Sequence, residues 1–214
     1  DDLMGFTPHP TDPSLLYSSG HPAAGGNLGI ITSADGGRTW REIAKGVNGP
    51  VDFHQMDLSK ADPRVIYGVY GGLQISRDGG YTWRRAGRLP DGLIDLAASA
   101  KDVNTLYAAT KGGLFITKDG GRSWRPAYLF NRPVTMVQSA SDGVVYAFVY
   151  GGGLLRTTEP GLDWSLVSDG FGDSYFIHLA VDPGDATKLY VVNNKGSVLA
   201  SSDGGRTWAA FGNR

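Results

Sequence analysis

The chain is predicted to be all-β, a β-propeller of four-stranded blades with five blades visible. Three observations predict this. The segment Ser33-Ala34-Asp35-Gly36-Gly37-Arg38-Thr39-Trp40 returns along the 214 residues as Ser76–Trp83, Thr117–Trp124 and Ser201–Trp208, with a decayed copy at Thr157–Trp164. All five tryptophans fall in these copies, and Trp40, Trp83, Trp124, Trp164 and Trp208 stand 43, 41, 40 and 44 residues apart. That interval suits architectures that stack one supersecondary unit per repeat. Each period also holds four short apolar runs bounded by Gly, Pro and Asp, and no stretch shows a helical period beyond one turn.

In the first period Met4–Thr7 leads through Pro10-Thr11-Asp12-Pro13 to Leu15–Ser18, then Leu28–Thr32, the Asp-Gly-Gly turn and Trp40–Ile43. The second has Phe53–Leu58, Val65–Val69 and Gly72–Ser76; the third has Leu93–Ala98, Thr105–Ala109 and Gly113–Ile116. Val134–Gln138, Val144–Phe148 and Gly153–Leu155 make the fourth, and Tyr175–Val181, Lys188–Val192 and Ser197–Leu199 the fifth. A tyrosine marks each second strand: Tyr17, Tyr67, Tyr107, Tyr146 and Tyr190. Four-stranded units repeated radially describe propeller blades. The expected organisation is one domain over 1–214, with repeats at about 1–46, 47–88, 89–130, 131–170 and 171–214.

Composition narrows function by exclusion. Twenty basic and 21 acidic residues, a formal charge of −1 and no run of like charge give no field for nucleic acid. The absence of cysteine removes disulfides, thiol catalysis and thiolate metal sites. No apolar run approaches the roughly 18 residues of a membrane span. The chain starts directly in an apolar, strand-like segment, so a processed or truncated form whose leader and earlier repeats are missing is expected.

The recurring segment has a structural rationale. An Asp carboxylate accepts from backbone N–H groups, Gly takes positive φ, the Ser or Thr hydroxyl ties the turn to its strand, and Trp covers the blade edge. Asp35, Trp40, Asp78, Trp83, Asp119, Trp124, Trp164, Asp203 and Trp208 are therefore assigned as structural. In the decayed copy Glu159-Pro160 replaces Asp-Gly, which removes a positive-φ residue and an N–H donor and predicts the least regular blade edge.

The pattern S/T-x-D-G-G-x-T/S-W resembles the Asp-box, or bacterial neuraminidase repeat. Sialidases, xyloglucan-cleaving glycoside hydrolases, sortilin-type receptors and a photosystem II assembly factor share it. The resemblance covers the whole chain and implies that the boxes lie on the blade periphery, away from any active site. Asp2–Phe6, Tyr17–Pro22, Leu28–Ile30 and Val51–His54 are further similar to exported bacterial Asp-box propellers described as glycosyl-hydrolase-like. Members of that group usually carry a preceding blade with a His-x-His-Gly motif, which is lacking here. Sialidase chemistry would need an Arg-Ile-Pro signature and a Glu to activate a Tyr nucleophile. The signature is absent, and the only glutamates, Glu42 and Glu159, lie beside or inside a box.

Meander connectivity sends the loops Ser18–Asn27, Gly46–Asp52, Arg88–Gly92, Leu129–Pro133, Tyr150–Gly152, Ser168–Ser174 and Asn193–Gly196 to the face opposite the boxes. His21 lies in the first of these, His54 at the start of a first strand, and His178 within another. Aligning inner strands places Gly5, Gln55, Asp95, Met136 and His178 at equivalent positions. The candidate ligand-binding residues are therefore His21, Asp52, His54, Gln55, Asp95 and His178. Asp52 or Asp57 with Asp95 would supply the carboxylate pair of a glycoside hydrolase. His21, His54, Met4 and Met56 form an imidazole–thioether set suited to copper. The ordinary alternative makes these residues strand-end polar groups and core methionines. The expected function is a non-catalytic binding or assembly module for a protein or glycan partner, outside the cytoplasm, with no cofactor and no nucleic acid. The alternatives are an exported glycoside hydrolase and a periplasmic copper-handling protein.

Overall fold

The structure is a computed structural model and describes residues 2–128 and 131–212. It contains five four-stranded antiparallel sheets, the blades of a β-propeller. The first is β1 (Asp2–Pro8), β2 (Leu16–His21), β3 (Ile30–Ser33) and β4 (Arg41–Ala44). The second is β5 (Met56–Leu58), β6 (Ile66–Val69), β7 (Leu73–Ser76) and β8 (Arg84–Gly87). β9 (Leu93–Ala98), β10 (Leu106–Thr110), β11 (Gly113–Thr117) and β12 (Arg125–Tyr128) follow. Next come β13 (Val134–Ser139), β14 (Val144–Val149), β15 (Gly153–Thr158) and β16 (Ser165–Ser168). The last sheet is β17 (Phe176–Asp182), β18 (Asp185–Asn193), β19 (Val198–Ser201) and β20 (Ala209–Ala210). Strands neighbour one another in chain order in every sheet. The predicted loop Leu129–Pro133 falls partly outside the described residues, which omit Leu129 and Phe130.

Contacts group the chain into two compact units. One is Asp1–Leu89 with Asp102–Leu106 and Thr117–Trp124; the other is Pro90–Lys101, Tyr107–Ile116 and Arg125–Arg214. The first unit packs Tyr17, Ile30, Val51, Phe53, Met56, Leu58 and Ile66 together, with the Trp83 ring 5.0 Å from that of Phe53. In the second, Val134, Val137, Val145 and Val149 pack with Tyr107, Leu114 and Ile116, while Phe148, Phe176, Leu179 and Leu189 form a further cluster. Four of the five marker tyrosines are buried; Tyr190 is half-buried and meets the Phe211 ring at 5.1 Å. The marker pairs with Thr7, Asp57, Gln138 and Ala180 on the inner strands of four blades, so Gly5, Gln55, Met136 and His178 each lie two residues earlier.

The box turns close on themselves. Ser33 Oγ donates to Asp35 Oδ1 at 2.8 Å and accepts from Gly37 N at 2.8 Å. Thr39 donates through N to Asp35 Oδ1 at 2.9 Å and through Oγ1 to Oδ2 at 2.6 Å. Gly36 and Gly37 hold φ of 72° and 88°, where a Cβ would be strained. The same bonds recur about Asp78, Asp119 and Asp203. Three of these turns are also tied to the turn joining the first and second strands, by Gly36 N to Ser14 O, Gly79 N to Arg64 O and Gly120 N to Asn104 O, and the last is tied to the start of β18 by Gly204 N to Thr187 O. Three indoles reach the preceding blade: Trp124 Nε1 donates to Arg88 O, Trp164 Nε1 to Ala127 O and Trp208 Nε1 to Ser168 Oγ. The tryptophans thus extend beyond covering their own blade edge.

Strand limits differ from expectation at the second blade, where the inner strand begins only at Met56. Val51 and Phe53 are fully buried ahead of it and hold residues 51–55 as an irregular plug. His54 therefore sits in a bend before β5 rather than on a strand.

Hydroxyl and backbone donors hold the Asp35 carboxyl down from its ordinary 3.8 to about 2, the Thr39 hydroxyl contributing most. A depressed acid pKa gives stability that is complete above the unfolded value and lost as pH falls through the folded one. In urea unfolding, the midpoint difference between the parent and Asp35→Asn is expected to shrink from about pH 4 to about pH 2. A difference that stays constant over that range would refute this assignment.

Candidate functional site

The loop end of the first unit is assembled from three connections. Asn27, between β2 and β3, donates through Nδ2 to Pro50 O at 3.0 Å and to the Tyr70 hydroxyl at 2.9 Å. Gly29 N donates to Val51 O. Two buried polar side chains brace this arrangement. Ser19 Oγ donates to Gly29 O at 2.8 Å and accepts from Phe53 N at 2.9 Å. Gln74 accepts from Val47 N at 3.0 Å and donates to Tyr70 O at 3.0 Å. Gly20, at φ 153°, lets the backbone of Asp2 approach where a Cβ would strike its carbonyl, and this fixes the strand end that carries His21.

On this frame the structure brings together His21, Asp52 and His54. His54 Nε2 lies 2.9 Å and His21 Nε2 3.8 Å from the same oxygen, Asp52 Oδ2. The Asp52 side chain is 10 % exposed, against 40 % for His21 and 52 % for His54. Its other oxygen, Oδ1, is buried without a hydrogen-bond partner. A carboxylate taken out of water calls for counter-charge or donors, which two imidazoles supply when protonated. Each ring meets Asp52 through Nε2, leaving Nδ1 for a ligand. Together with Asn27 and the 43 % exposed Tyr70, they give the loop end donors, acceptors and an aromatic face.

The remaining sequence candidates stand elsewhere. Asp57 Oδ1 accepts from Leu58 N at 2.9 Å and from the Thr7 hydroxyl at 3.2 Å, tying the first two blades. Asp95, in the second unit, accepts from Leu96 N and Val137 N at 2.9 Å each, tying β9 to β13. Gln55 takes Val69 N on its carbonyl. His178 is exposed on β17, opposite Val192. Met4 is exposed on β1, whereas Met56 is buried in the core beside Phe53 and Leu58. Among the described residues, no group of three or more His, Cys, Asp and Glu is arranged to hold a metal ion. Sequence reasoning missed Ser19, Asn27, Tyr70 and Gln74. Only Gln74, a polar residue within the apolar run Leu73–Ile75, gave a local signal.

The family model for the BNR/Asp-box repeat matches residues 74–85, the second box with its preceding strand. No curated protein matches the chain in sequence. Several solved structures are similar in fold. The GH74 xyloglucanase from Xanthomonas campestris superposes with a TM-score of 0.65 at 21 % identity, over 97 % of this chain and 38 % of its own. The nidogen/laminin complex gives 0.70 at 13 % identity, over 98 % and 79 %. YCF48 bound to D1 peptide gives 0.50 at 16 %, over 98 % and 82 %. The chain thus resembles Asp-box and related propellers in fold, and spans under two fifths of the xyloglucanase's length. Among the described residues, no helix is long and apolar enough to cross a membrane.

Replacing Ser19 by alanine leaves the Phe53 N–H buried without its acceptor, which costs about 2 kcal/mol. The urea midpoint should fall accordingly and the Phe53 amide should exchange faster. An unchanged midpoint would show that the loops hold without this hydroxyl.

Proposed function

We propose that the chain is a non-catalytic binding module that takes a protein or glycan partner at the loop end of its first unit, outside the cytoplasm. The observation that carries this reading is the pair of half-exposed imidazoles sharing one buried carboxylate oxygen, beside Asn27 and Tyr70. Such a constellation offers oriented hydrogen bonding and an aromatic surface at a braced loop end, the usual content of a recognition site. Two structural neighbours are described with protein or peptide partners, laminin and the D1 peptide, which supports the protein arm of the reading.

A second reading is favoured by the fold likeness to the xyloglucanase: an exported glycoside hydrolase using Asp52 or Asp57 with Asp95. It asks Asp57 and Asp95 to do chemistry while their carboxylates accept bonds from backbone N–H groups. Those bonds suit a structural tie and weigh against it. The copper reading draws its two imidazoles from the same Asp52 cluster but must recruit Met56 from the core.

The test is a glycan array and a peptide library, with the hit measured by calorimetry. Binding is expected to weaken at least tenfold in His54→Ala and in Asp52→Asn, and to be unchanged in Asp95→Asn. Release of reducing ends from xyloglucan, abolished by Asp95→Asn, would replace this reading with the hydrolase. Copper binding lost in His21→Ala would replace it with metal handling.

A further inference from the structure

At the box end of the first unit, a depression of about 280 Å³ lies between the outer strand of the second blade and the third box turn. Its lining includes three arginines, Arg77, Arg84 and Arg122, together with Asn104, Asp119 and the buried Ile75. Three positive charges face one carboxylate, and that carboxylate is already engaged. Asp119 Oδ1 accepts from the Thr117 hydroxyl, Arg122 N and Ser123 N, and Oδ2 from the Ser123 hydroxyl at 2.6 Å. Among the described residues, none of the three arginines has a carboxylate oxygen within 4.0 Å. Arg77 Nη2 instead donates to the Asn104 amide oxygen at 2.7 Å, which positions the guanidinium without neutralising it. The nearby acids Asp62 and Asp102 are closed in their own turns, one by Arg64 and the other by Asn104 N and the Thr105 hydroxyl.

The box accounts for these arginines only in part: Arg122 recurs as Arg38 and Arg206, and Arg84 as Arg41 and Arg125, so only Arg77 is peculiar to one copy of the box. Its hydrogen bonds run through the Ser or Thr hydroxyl, the Asp carboxylate and the backbone, and the Arg77, Arg84 and Arg122 side chains take no part in them. The same three positions read Ala34, Arg41 and Tyr81 one repeat earlier, and Lys118, Arg125 and Leu162 one repeat later. Three arginines coincide only at the junction of the second and third repeats. Guanidinium forks are suited to tetrahedral oxyanions, for which they supply paired, charge-assisted donors.

We propose that this depression binds a tetrahedral oxyanion, a phosphate or sulfate group, between Arg77, Arg84 and Arg122. Arg77 is preset by Asn104, while Arg84 and Arg122 close from the two blades. The volume leaves space for the ester's first carrier atoms beside Ile75. This site goes beyond the loop-end reading and does not depend on it, because the box turns and the His21–Asp52–His54 cluster stand at opposite ends of the strands.

Calorimetry and arginine side-chain NMR at constant ionic strength test it, with inorganic phosphate at pH 8, inorganic sulfate, phenyl phosphate and phenyl sulfate as probes and chloride as the control. Saturable one-to-one binding is expected, weakened at least tenfold in Arg84→Ala/Arg122→Ala and unchanged in His54→Ala. Preference for phenyl phosphate identifies a phosphate monoester, and equal or better binding of phenyl sulfate identifies a sulfate ester. Arg84→Gln and Arg122→Gln singly, each with an unchanged melting temperature, separate loss of the site from loss of fold. Unsaturable binding of every probe, or equal affinity in the variants, overturns the proposal.

Discussion

The Asp-box carboxylate is the constraint on which the rest of the structure depends. In each intact box a single hydroxyl, such as Ser33 Oγ, donates to the carboxylate and accepts from the second glycine's N–H, so the turn closes without help from any other blade. The closed turn then holds the connection between first and second strands through one backbone bond, as Gly36 N holds Ser14 O. One end of every intact blade is thereby fixed by bonds that stay within a single repeat. Three indoles carry that rigidity to the preceding blade, and the opposite strand ends are left to bear loops of differing length.

The decayed fourth box separates the two halves of this device. Glu159 N still bonds to Gly143 O at 2.8 Å, so the backbone tie to the first turn survives. The side-chain closure does not: the Glu159 carboxylate is buried and takes no bond from its own box. Tyr107 lies close by, and its hydroxyl is pushed well above its usual range, mainly by burial and then by the Glu159 charge. The irregularity foreseen from the sequence reaches the turn backbone as well, since Gly161 lacks the positive φ that both box glycines hold in the intact copies and its N–H bonds to Thr158 O, while the retained Trp164 bond to Ala127 O keeps the blade docked.

This division explains what the sequence made legible. Boxes, blade number, marker tyrosines and strand order were readable because each rests on contacts within one repeat, where spacing is geometry. The loop-end site was only half readable. His21, Asp52 and His54 could be named as polar residues near one face, but their convergence depends on Ser19 reaching Phe53 and on Gln74 reaching Val47. Those bonds span 34 and 27 residues, and no local pattern encodes them. Asp57 and Asp95, candidates for paired acids in the sequence, each accept bonds from backbone N–H groups, and Asp57 also from a threonine hydroxyl.

A repeat that specifies only the residues its turn requires leaves the intervening positions free to differ from blade to blade. Function is best sought where those free positions depart from a turn's own needs. Asp52, buried with one oxygen unbonded, is one such departure, since nothing in blade packing requires a carboxylate there. The arginines at the second and third repeats are another, since the turn they flank is already complete without them. The same box that marks its own Asp and Trp as structural therefore also identifies, by subtraction, the neighbours that are not. The blade periphery, which family resemblance would set aside, becomes a place to look for ligands wherever charge accumulates beyond what the turn consumes.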